Sequence, residues 1–253
     1  KFLSMNIPLY FISDVHLSLE SSSNEENKRK KLKQFIRHVI ENNGTLVIVG
    51  DLFDFWFEYK YVIPKAYFDI LKILNEAKLK GLIIHFVPGN HDFWIKEFLK
   101  ENLFHEVHPK GIKINISGKN FLISHGDGIL SWDRGYRFLR NFLRNRVFVY
   151  LYNWIHPDLG YAIAKKFSRN GNYNHHTTEY KEKVLHELKN YSENECNNGI
   201  DYIIMGHYHQ LKEINLKNGK LIILGDWIRH YSYGYFDGKE LSLKIWGVNN
   251  DDV

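Results

Sequence analysis

A single cysteine, Cys196, occurs in the 253 residues, within a polar stretch. No intramolecular disulfide can form, and a reducing compartment is allowed. No apolar run reaches the roughly 18 to 20 residues that cross a bilayer as a helix. The N-terminal region lacks a basic segment, a long apolar stretch and a small-residue cleavage site, so the cytoplasm is the expected location. Internal repeats and a heptad seam are absent, which argues against solenoids and coiled coils. An acidic excess is also missing: 34 Lys and Arg against 29 Asp and Glu leave a formal charge of +5, which favours an anionic partner.

What is present is ordinary for a folded protein, with 44% hydrophobic and 25% charged residues. The length suits a single domain over 1–253, with room for an insertion. Pro8 to Ser13, Leu46 to Val49 and Ile83 to Val87 are short β-branched and aromatic runs, the last two ending in Gly or Pro before polar residues. Lys30 to Ile40 and Tyr67 to Ala77 place apolar residues at helical spacing, and Gly81 follows the second as a stop signal. Strand, helix, strand repetition predicts an α/β layered fold with its ligand groove outside the carboxyl ends of the strands. Runs at 112–116, 120–123, 201–205 and 221–224 are expected to pair as hairpins in a second sheet. Ser21 to Asn27 reads as a solvated loop.

Five polar clusters punctuate this pattern, each directly after a strand-like run. They are Asp14-Val15-His16, Gly50-Asp51-Leu52-Phe53-Asp54, Gly89-Asn90-His91-Asp92, His125-Gly126-Asp127 and Gly206-His207-Tyr208-His209. A lone histidine is most often a surface or core residue. An ordered set of Asp-x-His, Gly-Asp-x-x-Asp, Gly-Asn-His-Asp and Gly-His-x-His is instead the ligand supply of a site that holds two cations about 3.5–4 Å apart. Asp51 is the expected bridge. Asp14 and His16, two apart at a strand end, point the same way and with His209 would hold one ion. Asn90, His125 and His207 would hold the other. Nitrogen and oxygen donors without thiolate suit Mn²⁺, Fe or Zn²⁺.

These clusters resemble the signature of the calcineurin-like metallophosphoesterase superfamily, matched in order from Asp14 to His209. The resemblance implies a four-layer α/β/β/α sandwich and in-line attack on phosphorus by water that two cations activate. It further implies His91 as the group that stabilises or protonates the leaving oxygen, oriented by Asp54. The flanks, Gly-Asp-Leu-Phe-Asp-Phe-Trp at 50–56, Asp133 with Gly135-Tyr136, and Leu224-Gly225-Asp226-Trp227, are similar to the UDP-2,3-diacylglucosamine diphosphatase family of lipid A biosynthesis. That likeness implies two divalent ions, Mn²⁺ first among them, a nucleotide-lipid substrate cleaved to UMP and 2,3-diacylglucosamine 1-phosphate, and peripheral contact with the inner face of the cytoplasmic membrane. Many of that family carry arginine at the position of His91, a departure that bears on substrate and not on the hydrolytic core.

Residues 129–185, between the fourth and fifth clusters, exceed a simple connection and read as an inserted helical lid. Arg137, Arg140 and Arg144 fall on one basic stripe, with Phe138, Leu139, Phe142 and Leu143 beside it, a pattern suited to an anionic membrane or to acyl chains. The pattern suits equally an ordinary amphipathic helix packed on the core with solvated arginines. By the resemblance Asp133 and Tyr136 face the substrate headgroup, while Arg169, Asn170 and Asn174 approach phosphate or uridine, with His175-His176 either joining them or serving only as exposed lid polarity. Two other functions remain open at this point. One is a dinuclear phosphodiesterase or phosphatase for another nucleotide or nucleic-acid substrate. The other is a non-catalytic scaffold, although no ligand is missing. No nucleic acid is expected, because the positive residues sit beside bulky aliphatics and form no aromatic-interleaved groove.

Overall fold

The computed structural model describes residues 3–171 and 177–247, except for the side chains of 167–171. In chain order these form β1 (Leu9–Ile12), α1 (Ser23–Glu41), β2 (Thr45–Val49), α2 (Phe68–Leu79), β3 (Ile83–Val87), α3 (Glu97–Asn102) and β4 (Glu106–Val107). Next come β5 (Ile112–Ile116), β6 (Lys119–Ser124), α4 (Arg134–Leu143), α5 (Arg146–Tyr152), α6 (Pro157–Gly171) and α7 (Thr178–Asn197). The last elements are β7 (Tyr202–Met205), β8 (Leu211–Leu216), β9 (Gly219–Leu224), β10 (Ser232–Phe236) and β11 (Leu241–Ile245).

Two sheets result. The first runs β11-β10-β1-β2-β3-β4 and the second β5-β6-β7-β9-β8. Strands β1, β2, β3 and β4 are mutually parallel, as are β6, β7 and β9, so both sheets send carboxyl ends toward polar clusters. Side-chain alternation then divides the apolar residues among three interfaces. Tyr10, Ile12, Leu46, Ile48, Ile84 and Phe86 face α1 and α2, where Leu32, Phe35, Ile36, Ile70 and Leu74 meet them. Leu9, Phe11, Val47, Val49 and Val87 face Phe121, Ile123, Ile204 and Ile222 between the sheets. Leu122, Ile203, Met205, Leu221 and Ile223 pack on Val184 and Leu188 of α7. The order is α/β/β/α, the sandwich expected. Each fully buried aliphatic or aromatic side chain contributes about 1.5–3 kcal/mol.

Helices α4 to α6 lie outside these layers, over a separate aromatic cluster of Phe55, Phe57, Tyr59 and Tyr152, with Trp94 and Tyr161 packed against it. All three begin inside the 129–185 interval. Helix α7 starts there too, but it runs on to Asn197 as the outer layer of the sandwich.

Three local expectations need correction. Ser21 to Asn27 is not all loop, because α1 starts at Ser23 and the Ser22 hydroxyl accepts from the Glu25 N–H as an N-cap. Of the second-sheet runs only β5 and β6 form a hairpin among those four. Strands β6, β7 and β9 pair in parallel, because α4 to α7 intervene between β6 and β7 and carry the chain back across the sheet. Strands β8, β10 and β11 were missed by sequence reading. Their burial is mixed in β8 and β11, and charged and polar residues dilute the apolar signal.

Candidate active site

The polar clusters occupy the ends of six parallel strands: Asp14 after β1, Asp51 after β2, Asn90 after β3, His125 after β6, His207 after β7 and Asp226 after β9. Leaving each strand at this edge requires an abrupt turn. Asp14, His16, Asp51, His207 and His209 all adopt positive φ, from 45° to 71°, five of the eight such non-glycine residues among those described. Such conformations are rare for side chains of this size and cluster where function over-determines the backbone. Two glycines permit the close approach. A Cβ on Gly89 would collide with Asp51 Oδ1, and one on Gly206 would stand 2.6 Å from Asp14 Oδ2.

The side chains converge in two sets, Asp14 with His16 and His209, and Asp51 with His125 and His207, joined by a third group of His16, Asp51 and His91. Asp51 Oδ2 joins them, at 3.6 Å from His16 Nε2 and 3.2 Å from His125 Nε2. Asp14 Oδ1 lies 3.8 Å from His16 Nε2 and 3.5 Å from His209 Nε2. Asn90 Oδ1 is 3.2 Å from His125 Nε2. Atoms that share one ion at about 2.0–2.2 Å stand roughly 3–3.5 Å apart, so these separations suit a cation between the groups. His16 Nε2 is buried and has no hydrogen-bond partner among the described residues, as expected of a nitrogen meant for an ion. All seven side chains expected as ligands are therefore brought together, and the donor set fits two divalent cations.

Electrostatics at this edge favour positive charge. Burial alone would raise the carboxyls of Asp14 and Asp51, but the surrounding imidazoles hold both below the usual range. Burial pushes His16 and His125 down; the same carboxylates override it and bring both to about 10. His207 goes the other way, lowered to about 4 by burial and by His125, and stays neutral. Two carboxylates at 0% and 2% exposure thus draw cationic charge here, whether carried by protons or by divalent ions.

Neighbouring groups set the orientation of the imidazoles. His125 Nδ1 donates to the Val49 carbonyl at 2.9 Å, which leaves Nε2 free as a ligand atom. The Asp54 carboxylate lies 3.6 Å from His16 Nδ1, and Asp226 Oδ2 lies 3.5 Å from His209 Nδ1. Asp226 is itself fully buried and accepts from the N–H groups of Ile228, Arg229 and His230. Sequence reading singled it out only as part of a flank; the Gly-Asp-Trp after a strand was the available signal. Asp92 is the brace between the second and third clusters, accepting from Gly89 N–H at 2.8 Å and Leu52 N–H at 2.7 Å. Burial, then the charge of Asp51, raises its carboxyl to about 7.

His91 sits beside the first set, its ring 4.7 Å from that of His16. Its Nδ1 donates to the main-chain oxygen of Asp54 at 2.7 Å, whereas the Asp54 carboxylate is 4.0 Å away. Asp54 therefore orients His91 through its backbone and faces His16 with its side chain.

Arg137, Arg140 and Arg144 of the 129–185 interval turn toward the protein and not toward an anionic surface. Arg140 and Arg144 both ion-pair with Asp127, Arg144 at 3.0 Å, while Arg137 donates to the Ser131 carbonyl. The reason is Asp127, whose side chain is 7% exposed and needs compensating charge. Arg144 also donates to the Gly89 carbonyl at 3.3 Å and lies over the Phe93 ring. With the arginines turned inward, the apolar side of α4 faces out, and Phe138 is 76% exposed. Tyr136 reaches the second set, its ring 5.7 Å from that of His207 and its hydroxyl buried with no hydrogen-bond partner among the described residues. Asp133 is the α4 N-cap and accepts from the Tyr136 N–H at 3.1 Å. Arg169 and Asn170 lie on the last turn of α6 with side chains outside the described residues, as do Asn174, His175 and His176 entirely.

The profile described as calcineurin-like phosphoesterase matches residues 7–211, an interval that contains all five clusters. A UDP-2,3-diacylglucosamine hydrolase from Porphyromonas gingivalis is 33% identical over 258 residues, covering 95% of this chain and 98% of the relative. A protein of the same name from Psychromonas ingrahamii is 25% identical, with 94% and 97% covered. Among solved structures, an archaeal phosphodiesterase aligns over 94% of this chain and 99% of its own at 16% identity and a TM-score of 0.47.

Proposed function

The chain belongs to the calcineurin-like phosphoesterase family, a family of hydrolases that use divalent metals, and within it we propose a pyrophosphohydrolase acting on UDP-2,3-diacylglucosamine. Water attacks the α-phosphorus, the bridging P–O bond breaks, and UMP and 2,3-diacylglucosamine 1-phosphate leave. One observation carries the substrate assignment: the lid presents polar groups to the metal-ligand cluster and apolar groups to the outside. Arg140, Arg144 and Tyr136 face the cluster. Phe138, Leu139, Phe142, Val147, Leu151 and Trp154 are exposed on α4, α5 and the turn that follows. A substrate with a diphosphate head and two acyl chains matches both sides of such a lid. The names of the relatives support the same reading.

Asp14, His16, Asp51 and His209 would hold one cation, and Asp51, Asn90, His125 and His207 the other; Mn²⁺ is the proposed ion. When bound, the pair would neutralise phosphoryl oxygens and lower the pKa of water. The remaining work falls to the chain's own groups. Because the Asp54 carbonyl can only accept, His91 holds a proton on Nδ1 and turns Nε2 to the substrate side; it is as imidazolium, with a second proton on Nε2, that it would stabilise or protonate the departing phosphate oxygen. The buried Tyr136 hydroxyl is a donor for a phosphate oxygen. Asp133 fixes the helix start that places Tyr136. Arg169 and Asn170 are proposed to meet the nucleotide portion.

No helix among the described residues is long and apolar enough to cross a membrane. The exposed aromatic and aliphatic side chains of the lid are instead proposed to touch the inner face of the cytoplasmic membrane while the substrate is drawn from it.

The test is Mn²⁺-dependent release of UMP from UDP-2,3-diacylglucosamine, beside a UDP-sugar without acyl chains and a simple aryl phosphodiester. Selective turnover of the acylated compound is expected, together with its loss in a Phe138→Asp, Phe142→Asp variant that still hydrolyses the aryl diester. Equal or better hydrolysis of the unacylated compounds would leave a phosphodiesterase of another nucleotide substrate and discard the lipid assignment.

A further inference from the structure

We propose that His85, Glu106 and His108 form a third divalent-cation site, of the Zn²⁺ class, on the outer edge of the first sheet and separate from the cluster at the strand ends. The sheet register builds it. His85 on β3 is the direct cross-strand neighbour of Glu106 on β4, so both side chains leave the same face of the ladder. His108 follows Glu106 by two residues, and period-two alternation returns it to that face. One ligand atom from each of the three lies within 4.8 Å of the others, and His85 Nδ1 is 3.1 Å from His108 Nε2. Two imidazole nitrogens bound to one ion at about 2.0–2.1 Å stand at nearly this separation.

The surroundings of His85 point the same way. It is 2% exposed, and its Nε2 donates to the Ser4 main-chain oxygen at 2.9 Å. A carbonyl accepts only, so the proton of the neutral ring is committed to Nε2 and the Nδ1 lone pair is turned toward His108 and Glu106. Ligating histidines are oriented in this way, with the far N–H held by a carbonyl or carboxylate. Burial also lowers the proton affinity of His85, which keeps the ring in the form that binds cations. Two imidazoles and one carboxylate without thiolate are a borderline donor set, suited to Zn²⁺, Co²⁺ or Ni²⁺ more than to Mg²⁺ or Ca²⁺.

The site joins three pieces of chain that are far apart in sequence: the segment at Ser4, β3 and β4. Strand β4 has two residues and sits at the sheet edge, where an ion would supply the anchoring that so short a ladder lacks. The expected role is structural, and turnover should not depend on it.

The experiment loads the full chain with Co²⁺, removes loosely bound metal and counts ions per chain. Wild type should hold one ion more than His108→Ala and one more than Glu106→Gln, and both variants should keep wild-type turnover and far-ultraviolet circular dichroism. Combining Asp51→Ala with His108→Ala separates this site from the strand-end cluster. Asp51→Ala alone should retain an ion that the double variant loses. A pair of variants that bind as many ions as wild type would overturn the third site, whatever Asp51→Ala shows. Should Asp51→Ala lose no ion while His108→Ala loses one, the strand-end assignment fails and the third site stands. His108→Ala folding poorly would leave the count to Glu106→Gln, which preserves side-chain volume.

Discussion

His91 Nδ1 lies 2.7 Å from the main-chain oxygen of Asp54, closer than the Asp54 carboxylate, which is nearer to His16. The two residues of the second and third clusters are thus linked by backbone, and their side chains do different work. His91→Asn should lower kcat by about 10²–10⁴-fold, the range of a lost acid or base, with metal content unchanged. Asp54→Asn leaves the main-chain oxygen in place and acts through His16, so its loss should be about 10–100-fold and appear in metal affinity. Equal metal affinity in Asp54→Asn and wild type would contradict this division.

Gly89→Ala is predicted to remove activity without unfolding the chain. The new methyl would meet Asp51 Oδ1, the atom that also accepts from the His91 N–H at 2.9 Å. Metal counting and circular dichroism read the two effects apart; a variant with full metal content and full turnover would show that the 88–92 turn can move away from Asp51.

Asp226 binds nothing directly in the proposed chemistry, yet its carboxylate faces His209 Nδ1 and His230 Nδ1. Asp226→Asn should weaken metal binding by about 10–100-fold while KM for the aryl diester stays near wild type at saturating metal. Metal titration followed by turnover at saturation is the measurement, and a fall in saturated turnover alone would assign Asp226 a different role.

Chelation should abolish hydrolysis, and readdition of Mn²⁺ should restore it. Because the proposed ligands come from both sheets, bound ions would also join them, and an ion at about 100 times its Kd contributes about 2.7 kcal/mol to stability. Thermal melting with and without chelator should therefore differ by several degrees. Identical melting curves would mean that no ion links the sheets.

A pH prediction concerns α1 and α2. Asp69 accepts from Arg29 at 2.5 Å and Lys33 at 2.7 Å, and although burial raises its carboxyl, these partners pull it below the usual range. A depressed carboxyl stabilises the fold above its unfolded value of about 3.9, and that contribution is lost as pH falls through the folded value. The group is 36% exposed, so screening limits the effect to about 1 kcal/mol or less. Urea midpoints for wild type and Asp69→Asn should differ at pH 7 and converge as the pH drops below about 4; a gap that persists in acid would trace to packing instead.

The polar clusters proposed to bind metal were legible because each is local. Asp14 and His16, or His207 and His209, carry their spacing with them, and the apolar run before each cluster locates it at a strand end. The sandwich was legible for the same reason, since alternating residues such as Phe11 and Ile12 already divide between two faces. Asp127 could not be read this way. Asp127 lies in a turn after β6 and its partner Arg144 is 17 residues away at the C-cap of α4, so only packing decides that the arginine turns inward. The parallel pairing of β6, β7 and β9 likewise depends on where a four-helix excursion returns the chain.

By itself, then, the sequence determined the groups on which the proposed chemistry rests: which donor atoms are present, in what order, and at the ends of which strands. Those choices follow from residue type and short-range periodicity. Only the tertiary structure decided how Asp51 comes to face both sets of imidazoles, why α4 and α5 show apolar side chains to the outside, and that His85 meets Glu106 and His108. Each of these joins residues through strand register or buried charge, and neither quantity is carried by neighbours in the chain.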